Sequence, residues 1–277
     1  MTDPEAAADA FDALSDPTRV AILRKLVTRF HRDDGHTVGF AELRRAVGVD
    51  DPGRFNYHLD TLAPRFVAKH DEGYSPTVAG RRAVESAESG VYAESAEPRS
   101  GTVDYDCPEC GEALTAAYEN RHIGVSCDDH GTIFLTLVDG SIGTAGSLLD
   151  VIDYAVREMW RRLDRISDGV CHVCRAPALS LSFRESDGVV LADCSCEECY
   201  FEETNGAVLF ALTHPAALAV LHAQGVDVPE QLPFEPLDDR MERGRFVDDG
   251  SAVEFTVAPD GEAVTIRVHD DLTVEAV

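Results

Sequence analysis

Residues 14–26, LSDPTRVAILRKL, open the part of the chain whose reading decides the fold. Ser15 is a cap-type residue, Pro17 suits a first helical turn, and Val20, Ile22, Leu23 and Leu26 recur at helical spacing, so the stretch predicts an amphipathic helix. FAELRRAVG (40–48) predicts a shorter helix stopped by Gly48. DPGRFNYHLDTL (51–62) predicts a third, with Asp51 as N-cap, Pro52 at its first position, and Phe55, Leu59 and Leu62 on one face. FVAKHDEGYSP (66–76) reads as a two-stranded wing turned at Glu72-Gly73, and TVAGRRAVESA (77–87) as a closing helix. That order is a winged helix-turn-helix over residues 1–90, an arrangement suited to reading DNA.

These residues resemble the ArsR-like winged-helix transcription regulators of the haloarchaeal type. In that family a Leu-x-Asp-Pro-x-Arg-x-x-Ile-Leu helix precedes the reading pair, and the third helix ends in His-Leu-x-x-Leu. LSDPTRVAIL and YHLDTL carry the match, over about the first third of the chain. The turn between Gly48 and Phe55 is one residue longer than the family's compact form. The resemblance implies a homodimer bound to double-stranded DNA.

The chain carries 24 basic and 51 acidic side chains, a formal charge of −27. Only Lys25 and Lys69 are lysines. Acidic excess with few lysines resembles the proteins of salt-in halophiles, whose carboxylates hold water while salt screens their repulsion. Residues 1–90 hold 12 basic and 15 acidic groups, a net of −3, whereas residues 91–277 hold 12 and 36, a net of −24. The near-neutral head is therefore the part able to meet phosphate. MTDPEAAADAF at the N-terminus is acidic without a signal core, and AVLFALTHPAALAVL (207–221) is broken at His214-Pro215, so a cytoplasmic protein with no membrane partner is expected.

Eight cysteines come in close pairs. Cys107-Pro-Glu-Cys110 is followed by Cys127-Asp-Asp-His130, and Cys171-His-Val-Cys174 by Cys196-Glu-Glu-Cys199. Two pairs about twenty residues apart are the ligand spacing of a zinc ribbon, which sets soft ligands tetrahedrally around Zn2+. Two structural zinc sites are expected, each closed by four protein ligands. Cys194 is spare: it is a ligand in place of Cys196, a small buried residue, or a reactive thiol. The two ligand regions read as a repeat. Strands 113–120 and 121–127 match 178–186 and 188–194, and each unit continues into an apolar stretch (132–138 or 207–212) and a helix (147–166 or 215–224). The wide apolar stripe of the 147–166 helix packs on the ribbons or forms a subunit interface.

The expected class is α+β: a winged helix-turn-helix (1–90), a linker (91–103), two zinc-ribbon-plus-helix units (104–168 and 169–225), a connector (226–250) with Pro229, Pro233 and Pro236, and a small antiparallel β module (251–277) turned at Pro259-Asp260-Gly261. On the third helix, Arg54 suits guanine, Asn56 adenine, and Tyr57 a phosphate or thymine methyl, with His58 and Thr61 as further candidates. Arg44, Arg45 and Lys69 suit phosphates, which position without specifying. The chain lacks a nucleophile elbow, a phosphate-cradling glycine loop and an open metal set, so an enzyme is not expected. The leading expectation is a sequence-specific transcription regulator. Alternatives are an adaptor of the transcription machinery, as in archaeal TFE-alpha, which couples a winged helix to a zinc ribbon, and a metal or redox sensor.

Overall fold

A computed structural model describes residues 3–32, 37–93, 96–138, 142–186, 188–228, 241, 243–257 and 262–277. It is a mixed α+β protein whose contacts gather into two units, one over Met1–Glu94 and one over Ser95–Val138 and Ile142–Val277.

The first unit begins with α1 (Pro4–Leu14), capped by Asp3, a helix the sequence reading passed over. Its alanine-rich face buries only Ala13, too little for an apolar period to register. α2 (Pro17–Arg32) follows after two residues. Its cap is Asp16, whose Oδ1 accepts from the Thr18 and Arg19 amides at 2.7 and 3.3 Å. Ser15, the expected cap, instead closes α1 by bonding back to Asp12. The buried Arg19 ties the two helices together by donating to the Asp12 carbonyl and Ser15 Oγ.

α3 (Phe40–Val47) ends on Gly48 at φ 79°, and α4 (Pro52–Leu62) starts on Asp51, which accepts from the Arg54 amide. β1 (Val67–His70) and β2 (Gly73–Pro76) form a hairpin turned at Asp71-Glu72, one residue before the expected position. Gly73 instead begins β2, where a side chain would strike the Val38 carbonyl, because Val38 bridges Tyr74 through two backbone bonds. α5 (Val78–Glu88) is capped by Thr77. Ile22, Leu23 and Leu26 of α2 meet Leu43, Phe55, Leu59 and Leu62 in one apolar core.

The second unit holds three antiparallel sheets around one core. β3 (Arg99–Asp106), β4 (Ala113–Glu119), β5 (His122–Cys127) and β6 (Gly131–Leu137) pair in chain order. β3 corrects the expected linker: the end of residues 91–103 is already sheet. α6 (Ile142–Ala145) and α7 (Leu148–Ser167) come next. α7 opens with the full capping box, Ser147 and Asp150 each bonding the other's amide. Its stripe (Val151, Ile152, Ala155, Val156, Met159, Leu163, Ile166) is buried within this chain, against β3, β4, β5 and the later helix α8. That removes the stripe as a subunit interface. Burying each of its larger members contributes about 1.5–3 kcal/mol.

β7 (Leu179–Ser186), β8 (Val189–Cys196) and β9 (Glu202–Gly206) form the second sheet, followed by α8 (Ala207–Ala211) and α9 (Pro215–Ala223). The apolar stretches that looked equivalent part here: TIFLTLV is strand β6, but AVLFAL is helix α8. Both stretches hold Val, Leu and Phe; the first adds Thr132, Ile133 and Thr136, which favour a strand, and the second Ala207 and Ala211, which favour a helix. The third sheet is β10 (Arg245–Val247), β11 (Ala252–Val257), β12 (Val264–His269) and β13 (Val274–Ala276). β10 lies in the expected connector, and Val226 and Val228 at the connector's start are core residues. Pro229, Pro233, Pro236 and the Pro259-Asp260-Gly261 turn lie outside the described residues. β11 and β12 pack on α8 and α9, so the C-terminal sheet shares one core with the other two sheets and is not a separate module.

Candidate functional site

Each ligand set is two tight turns brought face to face by a hairpin. In the first, Cys107 ends the β3 side, and its carbonyl accepts from the Gly111 amide at 2.8 Å. Gly111, at φ 74°, lets the chain reverse after Cys110. Cys127 closes β5, and Gly131, also at φ 74°, opens β6 just after His130. Cys107 Sγ and Cys127 Sγ lie 3.5 and 3.6 Å from His130 Nδ1, and Cys110 Sγ lies 3.7 Å from Cys127 Sγ.

The second set repeats this geometry with different residues. The Arg175 amide bonds to the Cys171 carbonyl, with Arg175 at φ 67° where the first set has glycine. Cys171 Sγ is 3.7 Å from Cys199 Sγ, and Cys174 Sγ is 3.6 Å from Cys196 Sγ. Within each set all four ligand atoms lie within 4.8 Å of one another. A tetrahedral ion with bonds of about 2.3 Å to sulfur and 2.0–2.1 Å to nitrogen gives edges of about 3.8 and 3.6 Å. The recorded edges match those lengths, and all eight cysteines are free thiols. Both clusters therefore have the dimensions of metal sites.

The thiol chemistry agrees. Burial opposes ionisation of Cys171, but amides of Cys174 and Val173 aimed at its sulfur bring it down to about 7. Cys199 receives an amide from Phe201, yet burial and the neighbouring thiols push it up to about 12. Four sulfurs this close cannot all carry charge without a cation among them. Cys194 stands apart. It is buried on the core face of β8, outside the cluster, and burial pushes its thiol up to about 12. The ligand is thus Cys196, and Cys194 is a core residue without thiolate character. His172, inside the second turn, packs edge-on against Phe201 at 4.5 Å, and burial, with Arg162 nearby, holds it below the usual histidine range.

On α4 the structure separates the DNA candidates. Arg54, Asn56 and Tyr57 are exposed, Tyr57 to 63%. His58 is 3% exposed and turned into the core, with Nδ1 3.8 Å from Asp16 Oδ1. It is a packing residue, which corrects its place among the base contacts: three residues after Phe55 and four before Leu62, it falls on the buried side of α4. Arg44 is half-buried and its Nη1 donates to the Val49 and Asp50 carbonyls at 2.8 and 2.6 Å, so it fastens the turn between α3 and α4. Arg45 is exposed and bonded to the Ala41 carbonyl, Lys69 is exposed on β1, and Thr61 bonds back to the Tyr57 carbonyl. Asn56 Nδ2 donates to Asp60 Oδ2 at 2.6 Å. Sequence reading missed Asp60, although its position four residues after Asn56 on one helical face was visible.

Residues 104–274 match the family model described as Domain of unknown function (DUF7351), well over half of the chain. The chain belongs to that family. The DUF7351 match runs across both ligand sets, α7 and the C-terminal sheet, which is the extent of the shared core. Residues 7–87 match a second model, Domain of unknown function (DUF7347), within the first unit. No curated protein and no solved structure matches the chain. Among the described residues no helix is long and apolar enough to cross a membrane.

Proposed function

We propose that the protein is a sequence-specific, DNA-binding transcription regulator: a winged helix-turn-helix head joined to two structural zinc ribbons. The observation that carries the reading is the division of α4, with Phe55, His58, Leu59 and Leu62 buried and Arg54, Asn56 and Tyr57 exposed on a helix held to α3 by Arg44. An exposed polar face on the second helix of such a pair is the surface that enters a major groove. Zinc is the ion favoured by two closed tetrahedra, one of three cysteines and a histidine and the other of four cysteines. Because all four positions of each site are taken by protein, we assign the metals a structural role and no catalytic one.

The test is mapping of bound DNA with the intact protein, followed by binding to the recovered sites at high salt. Arg54→Ala is expected to lose about 1–3 kcal/mol of discrimination at one base pair, and Lys69→Ala to weaken all sequences alike. An Arg54→Ala protein with wild-type preference removes α4 as the reading helix. A second reading, an adaptor contacting RNA polymerase, draws support from the exposed Asp50 and Asp51 beside Arg54 and Asp60 beside Asn56, which suit a basic protein surface better than phosphate. Recovery of polymerase without any preferred duplex decides for the adaptor.

A further inference from the structure

Gly53, Tyr57 and Asp60 run along the middle of the exposed face of α4. Spaced four and three residues apart, all three are exposed and lie opposite the buried Phe55, Leu59 and Leu62. Asp60 is therefore central to the surface proposed to enter a major groove, and not at its rim. A carboxylate there repels phosphate. It cannot bond guanine O6 or N7 or thymine O4 either, because all of these are acceptors as it is. Among the described residues its side-chain partner is Asn56, one turn earlier, whose Nδ2 donates to Asp60 Oδ2 at 2.6 Å.

We propose that Asp60 is a positioning residue for base reading: it fixes the side-chain amide of Asn56 so that the pair selects adenine over guanine. The proposal rests on α4 being the reading helix. Residue type alone suits Asn56 to adenine, and the bond to Asp60 adds an orientation. An asparagine reads adenine with two atoms, Oδ1 accepting from N6 and Nδ2 donating to N7. Nδ2 carries two hydrogens. Asp60 takes one, and the other remains, with Oδ1, for the base. The turned-over amide would set Oδ1 against the Asp60 carboxylate, acceptor against acceptor with no hydrogen between them. A free amide has no such restriction and can aim Nδ2 alone at guanine O6 or N7. Held by Asp60, Asn56 instead keeps Oδ1 where guanine would bring its O6, and that contact is repulsive. The carboxylate thus gives up general affinity for DNA and gains discrimination at one base pair.

The experiment is selection of bound sequences from a randomised duplex DNA pool by the metal-loaded full chain, for wild type, Asn56→Ala, Asp60→Asn, the double variant and Arg54→Ala. Asn56→Ala is expected to lose one adenine position. Asp60→Asn keeps the size of the side chain but offers a donor as well as an acceptor, so Asn56 is held either way up. It is expected to lower adenine-over-guanine preference at that same position by at least about tenfold. Its affinity for unrelated duplexes is expected to rise, because a negative charge has left the face. With Asn56 already replaced, Asp60→Asn is expected to leave that position unmoved, which a merely structural role would not predict. If Arg54→Ala loses its own base pair while Asp60→Asn or Asn56→Ala keeps every wild-type preference, the proposal is overturned and the reading helix stands. Asp60→Asn that weakens all sequences alike, with a lower melting temperature of the head, also overturns it. If neither Arg54→Ala nor Asn56→Ala changes any preference, the reading helix itself fails and the proposal fails with it.

Discussion

The head and the tail solve the same problem by different means. In the head, helices α1 to α5 and one hairpin surround Ile22, Leu23, Leu26, Phe55 and Leu59, and apolar burial with side-chain caps at Asp3, Asp16, Asp51 and Thr77 holds the unit together. In the tail, apolar residues are spread over three sheets, and two of these have a ligand set at one end. The tail's core is the larger of the two, but the net charge of −24 over residues 91–277 opposes compaction. A metal cross-link at each ligand set can contribute what that repulsion takes away.

The largest expected effect separates the two units directly. The chain has a single tryptophan, Trp160 on α7, so its fluorescence reports the tail alone. Removing metal with a strong chelator is expected to release the tail's fold, since structural zinc contributes about 10 kcal/mol or more. Trp160 emission then shifts to the red, while hydrogen exchange still protects the α2 amides. A tail that keeps its emission without metal breaks the comparison.

Next in size is the converse experiment. Leu26→Ala opens the head's core and is expected to cost about 2–5 kcal/mol there, measured by exchange at α2 and α4. Trp160 emission through a denaturant series is expected to be unmoved.

Acid sharpens the contrast further. Burial works against ionisation of Asp16, but the amides of Thr18 and Arg19 hold its carboxyl below the usual aspartate range. A depressed native value stabilises the head at every pH above the ordinary aspartate range and loses that contribution as pH falls through the native value. Asp16→Asn is therefore expected to flatten the acid limb of the head's melting temperature. The tail's acid limb follows metal release, because its ligands must be deprotonated to bind. Asp16→Asn should leave that limb unchanged.

The smallest effect compares the two ligand sets. Gly111→Ala places a side chain at φ 74° with open space around it, so backbone strain of about 1 kcal/mol is expected. Arg175 already bears such strain at φ 67°, and Arg175→Gly is expected to be neutral or stabilising by up to about 1 kcal/mol. Metal affinity of single-site variants would register both changes.

What could be read in the sequence follows from how local its cause is. Ligand spacing around Cys107 and Cys171 is a local constraint, and so are the Asp51-Pro52 helix start and the Ser147–Asp150 capping box. Ser15 and Asp16 are both cap-type residues side by side. Asp16 takes the role because it directly precedes Pro17, a distinction present in the sequence but easily passed over. His58 is different: its polarity suggested a surface, and only the packing of α4 on the head's core buries it. The C-terminal strands were legible as strands, but nothing in SAVEFTV or EAVTIRV indicates that they close over α8 and α9. Partners distant in sequence are set by the core, which no local pattern encodes.

The ligand sets follow one another along the chain and are not interleaved. Cys107 to His130 is complete before Cys171 begins, and α7 separates the two. During synthesis the first site can therefore load and close while the second is still inside the ribosome. Each loop to be closed is short, which keeps its entropic cost low and its closure fast. By the time Cys171 emerges, the four earlier ligands are already committed. Wrong pairing among eight chemically similar donors is then limited by the order in which the polymer appears, and needs no selection between finished alternatives.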